Sequence, residues 1–390
     1  MTDADLAFRE EAKAWLAANV PREPQPEDGV AMREFDMAWQ ARQYEGGWAG
    51  ISWPVEYGGR ALSSLRQMIW HEEYARAGGP KIGTGFVGVN DAGPTLMLHG
   101  TEEQKRKHLP RILRGEEVWA QGYSEPGAGS DLAAMSTAGV VDGDDIVITG
   151  EKIWTSYADI SDFQELLVRT NPDAPKHQGI TWLICPLDPR PPGLTVEPIQ
   201  TLSGPRHLCR VVYDEVRLPL TCVVGEIDGG WHVVSSSLYL KRGTGRIADQ
   251  VSLARAVEDL LATARLPGSG GRAPAIEDDE IAHRLATARA EVAALRAMTY
   301  AELSRVDRNG TPGAEGSLGR IFHGELGQRV RLLAMDVLGP DALQMVGRAD
   351  GQRDWVQEYL WSFTETIGGG TSDIQRSVIG ERVLGLPRDR

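Results

Sequence analysis

The hydrophobic periodicity of this 390-residue chain changes twice along its length, and this change constrains the fold more than any other feature. Up to about residue 118, apolar residues recur at the spacing of amphipathic helices. Between 119 and 226 they form short runs rich in Val, Ile and Leu, which polar turns separate. Helical spacing then returns. The pattern predicts an α+β chain with an N-terminal α-helical domain at 1–118, a middle β domain of the barrel or sandwich type at 119–226 and a C-terminal four-helix bundle at 227–390.

The same periodicity locates the individual elements. It predicts helices at 3–19, 30–47, 63–77, 84–98, 102–114, 231–264, 279–307 and 317–338. Thr101 and Gln104 fit a capping box, which favours a helix that begins directly after Thr101. The β-rich runs begin at Val140, Ile146, Leu166, Ile180, Leu194 and Val211. A flexible loop rich in Gly and Pro is expected at 267–274, between two of the long helices.

Composition excludes several classes of function. The net charge of −14 argues against a nucleic-acid partner held through phosphates and against an anionic membrane surface. No apolar run approaches the roughly 18 residues that span a bilayer, and the acidic N-terminus lacks the layout of a signal peptide. The three cysteines lack metal or disulfide spacing, and the eight histidines are scattered, so no metal site is expected. We therefore expect a cytoplasmic protein. Neither a nucleophile elbow nor a P-loop occurs.

One candidate site is the loop from Gln121 to Asp131, which combines glycines with hydroxyl groups. Pro126 fixes φ, whereas Gly127 and Gly129 allow positive φ and close approach of another molecule to the backbone. The loop would direct several N–H groups and the hydroxyls of Ser124 and Ser130 toward one point. It suits a flat polar heterocycle or a phosphate, and the alternative is an ordinary surface turn.

Two further segments carry candidate binding residues. In the segment 150–156, the indole of Trp154 is followed by two hydroxyl residues, the second of which is Ser156. Trp154 alone could equally be a core residue. In the segment 366–376, three glycines precede a short amphipathic helix, and a plain turn between helices would explain them as well.

Together the three segments and their α, β, α arrangement resemble the acyl-CoA dehydrogenase family. The resemblance covers nearly the full length, and residues 380–388 are similar to the usual C-terminus of that family. More narrowly, the chain resembles actinobacterial members that act as hetero-oligomers on CoA esters of steroid side chains. This narrower resemblance depends on Gly-Pro-Thr-Leu at 93–96 and Thr-Ile-Gly-Gly-Gly-Thr at 366–371. The resemblance to the family as a whole implies a middle domain of the β-barrel type.

The resemblance implies a noncovalent FAD between the β domain and the C-terminal bundle. The residues it assigns to cofactor binding are Gln121, Tyr123, Ser124, Gly129, Ser130, Trp154, Ser156, Thr371 and Asp373. The first three would face the pyrimidine edge of the flavin, Trp154 would pack on the ring, and Ser156 would bond near N5. Thr371 and Asp373 correspond to the diphosphate and ribitol region. Ser130 and Arg242 would contact the CoA ester.

The reaction that the resemblance implies is α,β-desaturation of an acyl-CoA thioester. A carboxylate would remove the α-proton while the β-hydride passes to the flavin. The two positions that carry this carboxylate in the family are Gly369 and Lys241 here, so the catalytic base is unassigned. Glu365 and Asp249 are the nearest substitutes in the sequence.

Two further departures concern the contacts that family homodimers make with the FAD of the neighbouring subunit. The stretch 265–276 lacks the Arg-x-x-Phe-Gly element, and residues 336–340 stand where Gln-x-x-Gly-Gly is usual. These departures favour a heteromer, an α2β2 tetramer with a homologous acyl-CoA dehydrogenase subunit. The resemblance also implies an electron-transfer flavoprotein as electron acceptor. A flavin monooxygenase on the same scaffold and a catalytically silent structural subunit are the alternatives.

Overall fold

The computed structural model describes residues 1–240, 247–309, 313–344 and 353–387. Its first part is helical, as the periodicity predicts. The N-terminal helices are α1 (Asp3–Asn19), α2 (Gly29–Glu45), α3 (Ser64–Arg76), α4 (Gly85–Val87), α5 (Gly93–His99) and α6 (Glu102–Leu113). The capping box predicted for α6 is present, because Thr101 Oγ1 accepts from Gln104 N at 3.2 Å and Gln104 Oε1 accepts from Thr101 N at 2.9 Å. None of the helices in the described part of the chain has the length and apolar character needed to cross a bilayer.

The single helix predicted at 84–98 is interrupted. A π-helical turn at Gly88–Ala92 separates α4 from α5. The indole of Trp53 donates to the carbonyl of Val89 at 2.9 Å, so this oxygen has a partner outside the helix. A Cβ on Gly93 would lie 2.3 Å from the same indole ring. Packing against Trp53 therefore accounts for the altered winding, which periodicity does not reveal.

The middle part of the chain is a β domain. Its strands are β1 (Trp119–Gly122), β2 (Ala138–Asp142), β3 (Asp145–Ser156), β4 (Phe163–Arg169), β5 (Ile180–Pro186), β6 (Leu194–Ile199), β7 (Leu208–Pro219) and β8 (Val223–Val224). The eight strands belong to one sheet with the order β6-β7-β3-β2-β4-β5-β8, and β1 pairs with β4 in parallel. The β-rich runs of the sequence are all strands. The three cysteines of this region are free.

The last part of the described chain is helical again. Its helices are α7 (Gly230–Leu240), α8 (Ile247–Ala264), α9 (Asp279–Asn309), α10 (Gly316–Leu338), α11 (Trp355–Ser362) and α12 (Ser372–Val378). Helices α8, α9, α10 and α11 share one apolar core, in which Leu260, Leu295 and Trp355 are fully buried. The helix predicted at 231–264 corresponds to α7 and α8, and the residues 241–246 between them lie outside the described part. The α+β fold class is confirmed.

A second apolar core positions the candidate site, because all three parts of the chain contribute to it. It contains Leu96 from α5 and Trp53 from the loop between α2 and α3, Trp119 and Trp182 from the sheet, and Val233 from α7. Tyr123, in the loop directly after β1, is also buried there at 5% exposure. The loop predicted to bind a ligand therefore starts from a rigid anchor.

Candidate functional site

The loop from Gln121 to Asp131 leaves the sheet at β1 and turns back on itself. Glu125 and Ala128 exchange two backbone hydrogen bonds of 3.0 Å and close a tight turn. Beyond this turn Gly129 and Ser130 are exposed, and a Cβ added to Gly129 would meet no atom within 4 Å. The surface of the loop is thus open to another molecule.

The two glycines of this loop do not use the positive φ that glycine allows. Neither Gly127 nor Gly129 has a positive φ. The reason is that the turn between Glu125 and Ala128 closes through backbone hydrogen bonds without a left-handed residue. A Cβ on Gly127 also meets open space, so these glycines leave room beside the loop and do not shape its backbone.

A buried ion pair lies beneath the loop, and the sequence reasoning missed it. Lys152 on β3 is 0% exposed, and its Nζ lies 2.8 Å from Glu125 Oε1 and 3.2 Å from the carbonyl oxygen of Tyr123. The other donors to the Glu125 carboxylate are Ser136 N at 2.7 Å, Ser136 Oγ at 2.9 Å and Thr137 N at 2.9 Å. The one signal in the sequence is a lysine within a strand whose neighbouring residues alternate between apolar and polar.

The two charges of this pair have displaced pKa values. Burial alone would raise the pKa of Glu125, but the charge and hydrogen bond of Lys152, with the bonds from Thr137 and Ser136, lower it from 4.5 to about 2. Burial lowers the pKa of Lys152 from 10.5 to about 8, although Glu125 opposes that change. At neutral pH both groups are charged, and their mutual attraction is set against the cost of removing two charges from water, so we expect the pair to contribute little net stability.

The pKa of Glu125 predicts that the free energy of unfolding depends on pH differently in the wild-type chain and in a K152M/E125Q variant. The folded-state pKa of Glu125 lies below its unfolded value, so its stabilisation is complete above about pH 4.5 and is lost as pH falls toward 2. Lys152 stays protonated throughout that range. Urea unfolding should give similar free energies of unfolding at pH 6, and at pH 3 the wild type should have lost about 2 kcal/mol relative to the variant. A difference that stays constant with pH would contradict the assignment.

Trp154 and Ser156 lie on β3, next to the same loop. The pairing of β3 with β7 shifts register between Lys152 and Thr155, and within this bulge Trp154 has a φ of 62°. Its side chain is 55% exposed, so the alternative reading of Trp154 as a core residue is wrong. Ile153 N donates to Ser124 O at 2.9 Å, which holds the bulge against the loop. The structure therefore brings the first two sequence segments together.

Gln121 and Tyr123 direct their side chains into the protein. Gln121 Nε2 donates to the carboxylate of buried Glu165 on β4. The Tyr123 hydroxyl accepts from Trp182 Nε1 at 3.0 Å. Burial and then the charge of Glu165 raise the pKa of Tyr123 well above its usual value. Because the carbonyl oxygen of buried Tyr123 accepts from Lys152, the half-buried Ser124 is what this part of the loop offers a ligand.

The third segment is linked to the sheet through aromatic rings. The ring of Tyr157, directly after β3, lies 5.6 Å from that of His207, and His207 meets Trp361 of α11 edge to face at 4.6 Å. Beyond α11, Thr371 begins α12, and its Oγ1 accepts from Ile374 N at 3.2 Å. Trp361 thus connects the bulge region with the helices that carry the third segment.

Asp373 and Gly369 are exposed to solvent. The side chain of Asp373 is 95% exposed and is paired only loosely, at 3.4 Å, with Arg376. Gly369 has a φ of 68°, and a Cβ on it would meet no atom within 4 Å. The two remaining candidate positions, Lys241 and Arg242, lie outside the described residues. Among the described residues, no group of three or more His, Cys, Asp or Glu side chains could hold a metal ion.

Of the two substitute carboxylates, Glu365 is turned into the helical bundle. Its Oε1 lies 3.4 Å from Arg331 Nη2, and a Cβ on Gly327 of α10 would come within 2.0 Å of its Oε2. Burial raises the pKa of Glu365, and the charge of Arg331 opposes this change. Asp249 is exposed on α8. Glu365 therefore has one charged contact, with Arg331, while its Oε2 is buried without a hydrogen-bond partner among the described residues.

The residues around the loop suit FAD. The loop and β3 together carry an exposed indole, two glycines beside open space and the hydroxyls of Ser124, Ser130 and Ser156. Thr155 Oγ1 is buried there without a hydrogen-bond partner. Aromatic faces pair with a flat ring system, and hydroxyl and N–H donors suit its carbonyl edge and a phosphate.

Comparisons with known proteins agree with the division of the chain into helical, β and helical parts. Family models match residues 2–116 (acyl-CoA dehydrogenase, N-terminal domain), 120–216 (middle domain) and 228–384 (C-terminal domain). "Acyl-CoA dehydrogenase IpdE1" of Mycobacterium tuberculosis is 38% identical over 392 residues, which cover 98% of each chain. The match confirms the predicted enzyme class, an FAD-dependent oxidoreductase.

Two solved structures are similar over the full length. The "Tcur3481-Tcur3483 steroid ACAD" has a TM-score of 0.85 at 34% identity and covers 100% of this chain and 99% of its own. The ChsE4-ChsE5 complex from Mycobacterium tuberculosis has a TM-score of 0.82 at 33% identity, again over 100% and 99% of the two chains. With the family models and the relative of similar length, they lead to one conclusion: this chain belongs to the acyl-CoA dehydrogenase family.

Proposed function

We propose that this chain is the flavin-holding subunit of a heteromeric acyl-CoA dehydrogenase that desaturates a bulky CoA ester, such as that of a steroid side chain. The observation that carries the proposal is an asymmetry within the site. The loop after β1 and the exposed Trp154 form a surface suited to a flavin, whereas Gly369 contributes no carboxylate. The names of the similar steroid ACAD and ChsE4-ChsE5 structures, each a pair of proteins, support a heteromer.

Each part of the site then has a role. Bound FAD supplies the hydride acceptor. The loop after β1 holds the flavin edge through its backbone and Ser124, while the indole of Trp154 packs on the ring and excludes water. Ser156 donates a hydrogen bond beside it, and Thr371 contacts the diphosphate. The proton acceptor is the part that this chain lacks, because Glu365 is engaged with Arg331 inside the bundle.

A second surface, formed by the stretches 265–276 and 336–340, supports a partner other than a second copy of this chain. The stretches 265–276 and 336–340, which in family homodimers contact the neighbouring FAD, lie side by side. Arg272 donates to the carbonyl of Leu338 and lies 3.4 Å from Asp341. A groove of about 390 Å³ beside them is lined by one cationic residue, Arg272, and by three acidic residues, Glu277, Asp278 and Asp336, of which Asp336 pairs with Arg284 at 2.8 Å. These acidic groups would repel a diphosphate, so a second copy of this chain is a poor donor of that half of the site.

Co-expression with homologous acyl-CoA dehydrogenases of the same organism, taken one at a time as candidate partners, tests the proposal. We expect a 1:1 complex of α2β2 mass that retains FAD and desaturates a steroid side-chain CoA thioester, with an electron-transfer flavoprotein as acceptor. The chain alone should retain little FAD. Full FAD content and desaturation by the chain alone would contradict the heteromer. Oxygen uptake driven by NAD(P)H would point to a monooxygenase, and FAD retention that is insensitive to loss of Trp154 would point to a structural subunit. The cytoplasmic location expected from the sequence stays a prediction.

A further inference from the structure

The Lys152–Glu125 ion pair occupies the point where the loop after β1 meets the bulge that carries Trp154. We propose that this pair positions the two against each other and thereby sets the affinity for FAD, while contributing little to global stability. The inference rests on the proposed function, because it takes the loop and Trp154 as the flavin surface. It assigns a positioning role to two residues that are buried beneath this surface.

Lys152 connects the strand to two points of the loop. Its ammonium group lies 3.2 Å from the carbonyl oxygen of Tyr123 and 2.8 Å from Glu125, on either side of Ser124. The backbone bond of 2.9 Å from Ile153 N to Ser124 O lies between these contacts. Three successive loop residues are therefore fixed by two successive residues of β3.

Glu125 extends the connection to the strand that follows the loop. Its carboxylate accepts three hydrogen bonds from Ser136 and Thr137 in addition to the contact with Lys152. Thr137 is tied in turn to β3, since its Oγ1 donates to Glu151 O at 3.1 Å. The carboxylate thus fixes both ends of the stretch 126–135, in which the exposed Gly129 and Ser130 lie.

Trp154 is the residue of β3 through which this ion pair would act on FAD binding. It follows Lys152 by two residues, inside the register shift of β3 and β7. Because Lys152 is 0% exposed and Trp154 is 55% exposed, the bulge turns one side chain inward and the other outward within three residues. The inward lysine determines where the outward indole stands relative to the loop.

The cost of burying charges argues that the Lys152–Glu125 pair does more than stabilise the fold. Removing two charges from water costs several kcal/mol for each ion, and a buried pair seldom does more than offset this cost. A pair of neutral side chains of similar volume commonly folds equally well. A neutral pair lacks the directed contacts of Lys152 with Tyr123 O and with the carboxylate at position 125. We therefore expect the affinity for FAD to fall although the stability does not.

The test compares K152M, E125Q and the double variant K152M/E125Q in the complex with the partner subunit. FAD is titrated into the apo-complex to obtain the Kd, the visible circular dichroism of the bound flavin is recorded, and urea unfolding gives stability. Each single variant leaves one buried charge unpaired and should lose both stability and affinity. In the double variant stability should return to near the wild-type value, while the Kd stays at least about tenfold weaker and the flavin dichroism stays altered.

Glu72→Gln is the matched control. Glu72 is 4% exposed and pairs with Arg9, Arg76 and Arg296, but it lies on α3 away from the loop. This variant should lose stability and keep its Kd for FAD within about twofold. A wild-type Kd in the double variant, or a Kd that follows stability across all four variants, would overturn the inference. A wild-type complex that binds no FAD would overturn the proposed function itself.

Discussion

Replacement of Trp182 by alanine is expected to lower the free energy of unfolding by about 3–5 kcal/mol. Trp182 on β5 is 0% exposed and belongs to the core that the N-terminal helices, the sheet and α7 share. A Cβ on Gly230, at the start of α7, would lie 2.6 Å from the backbone nitrogen of Trp182, so the strand and helix are already in close contact and have little room to collapse. Since domains are commonly stable by only about 5–15 kcal/mol, this loss should be visible in urea unfolding.

Trp182→Phe separates packing from hydrogen bonding. Phenylalanine retains most of the ring but cannot donate to the Tyr123 hydroxyl, which accepts from Trp182 Nε1 at 3.0 Å. Loss of this buried hydrogen bond should cost about 1–2 kcal/mol. If both variants lost the same free energy, the hydrogen bond and not the packing would dominate. If alanine cost less than about 1 kcal/mol, the assignment of Trp182 to the shared core would be wrong.

The long elements could be predicted from the sequence because their signals are local. The pattern at 279–307 predicts a helix, and α9 spans Asp279–Asn309. Thr101 marked the start of α6 because a capping box needs only four consecutive residues. The three segments with ligand-binding chemistry were likewise recognisable, since each is a short contiguous motif.

The arrangement within the site could not be read in the same way. Glu125 and Lys152 are 27 residues apart, and only the fold shows that they meet. Alternation along a strand predicts which side chains are buried, but the bulge after Lys152 breaks the alternation and leaves Trp154 outside. Tyr123 belongs to a motif that also contains the exposed Gly129 and Ser130, yet its hydroxyl lies in the core because Trp182 supplies a donor there. Each difference arises from a tertiary contact.

Loss of the Trp154 ring should weaken FAD binding by about tenfold to a hundredfold, because stacking of an aromatic side chain on a flat ring system is worth about 1–3 kcal/mol. Stability should respond differently. The side chain is 55% exposed, so little buried apolar area is lost, and the backbone is held at a φ of 62°, which a non-glycine residue adopts at a cost of about 1–2 kcal/mol.

Two variants therefore separate the ring from the backbone. W154A and W154G both remove the indole, so titration of FAD into the apo-complex should give the same weakened Kd for each. Glycine adopts the left-handed conformation without strain but adds freedom to the unfolded chain. In urea unfolding of the apo-complex, the free energy of unfolding of W154G should lie between that of W154A and a value about 1 kcal/mol higher. Neither variant should be much less stable than the wild type. Different Kd values for the two variants would show that strain in the bulge, and not the indole, controls FAD binding. A large loss of stability in both variants would show that Trp154 is a core residue, and its assignment to the flavin site would then be wrong.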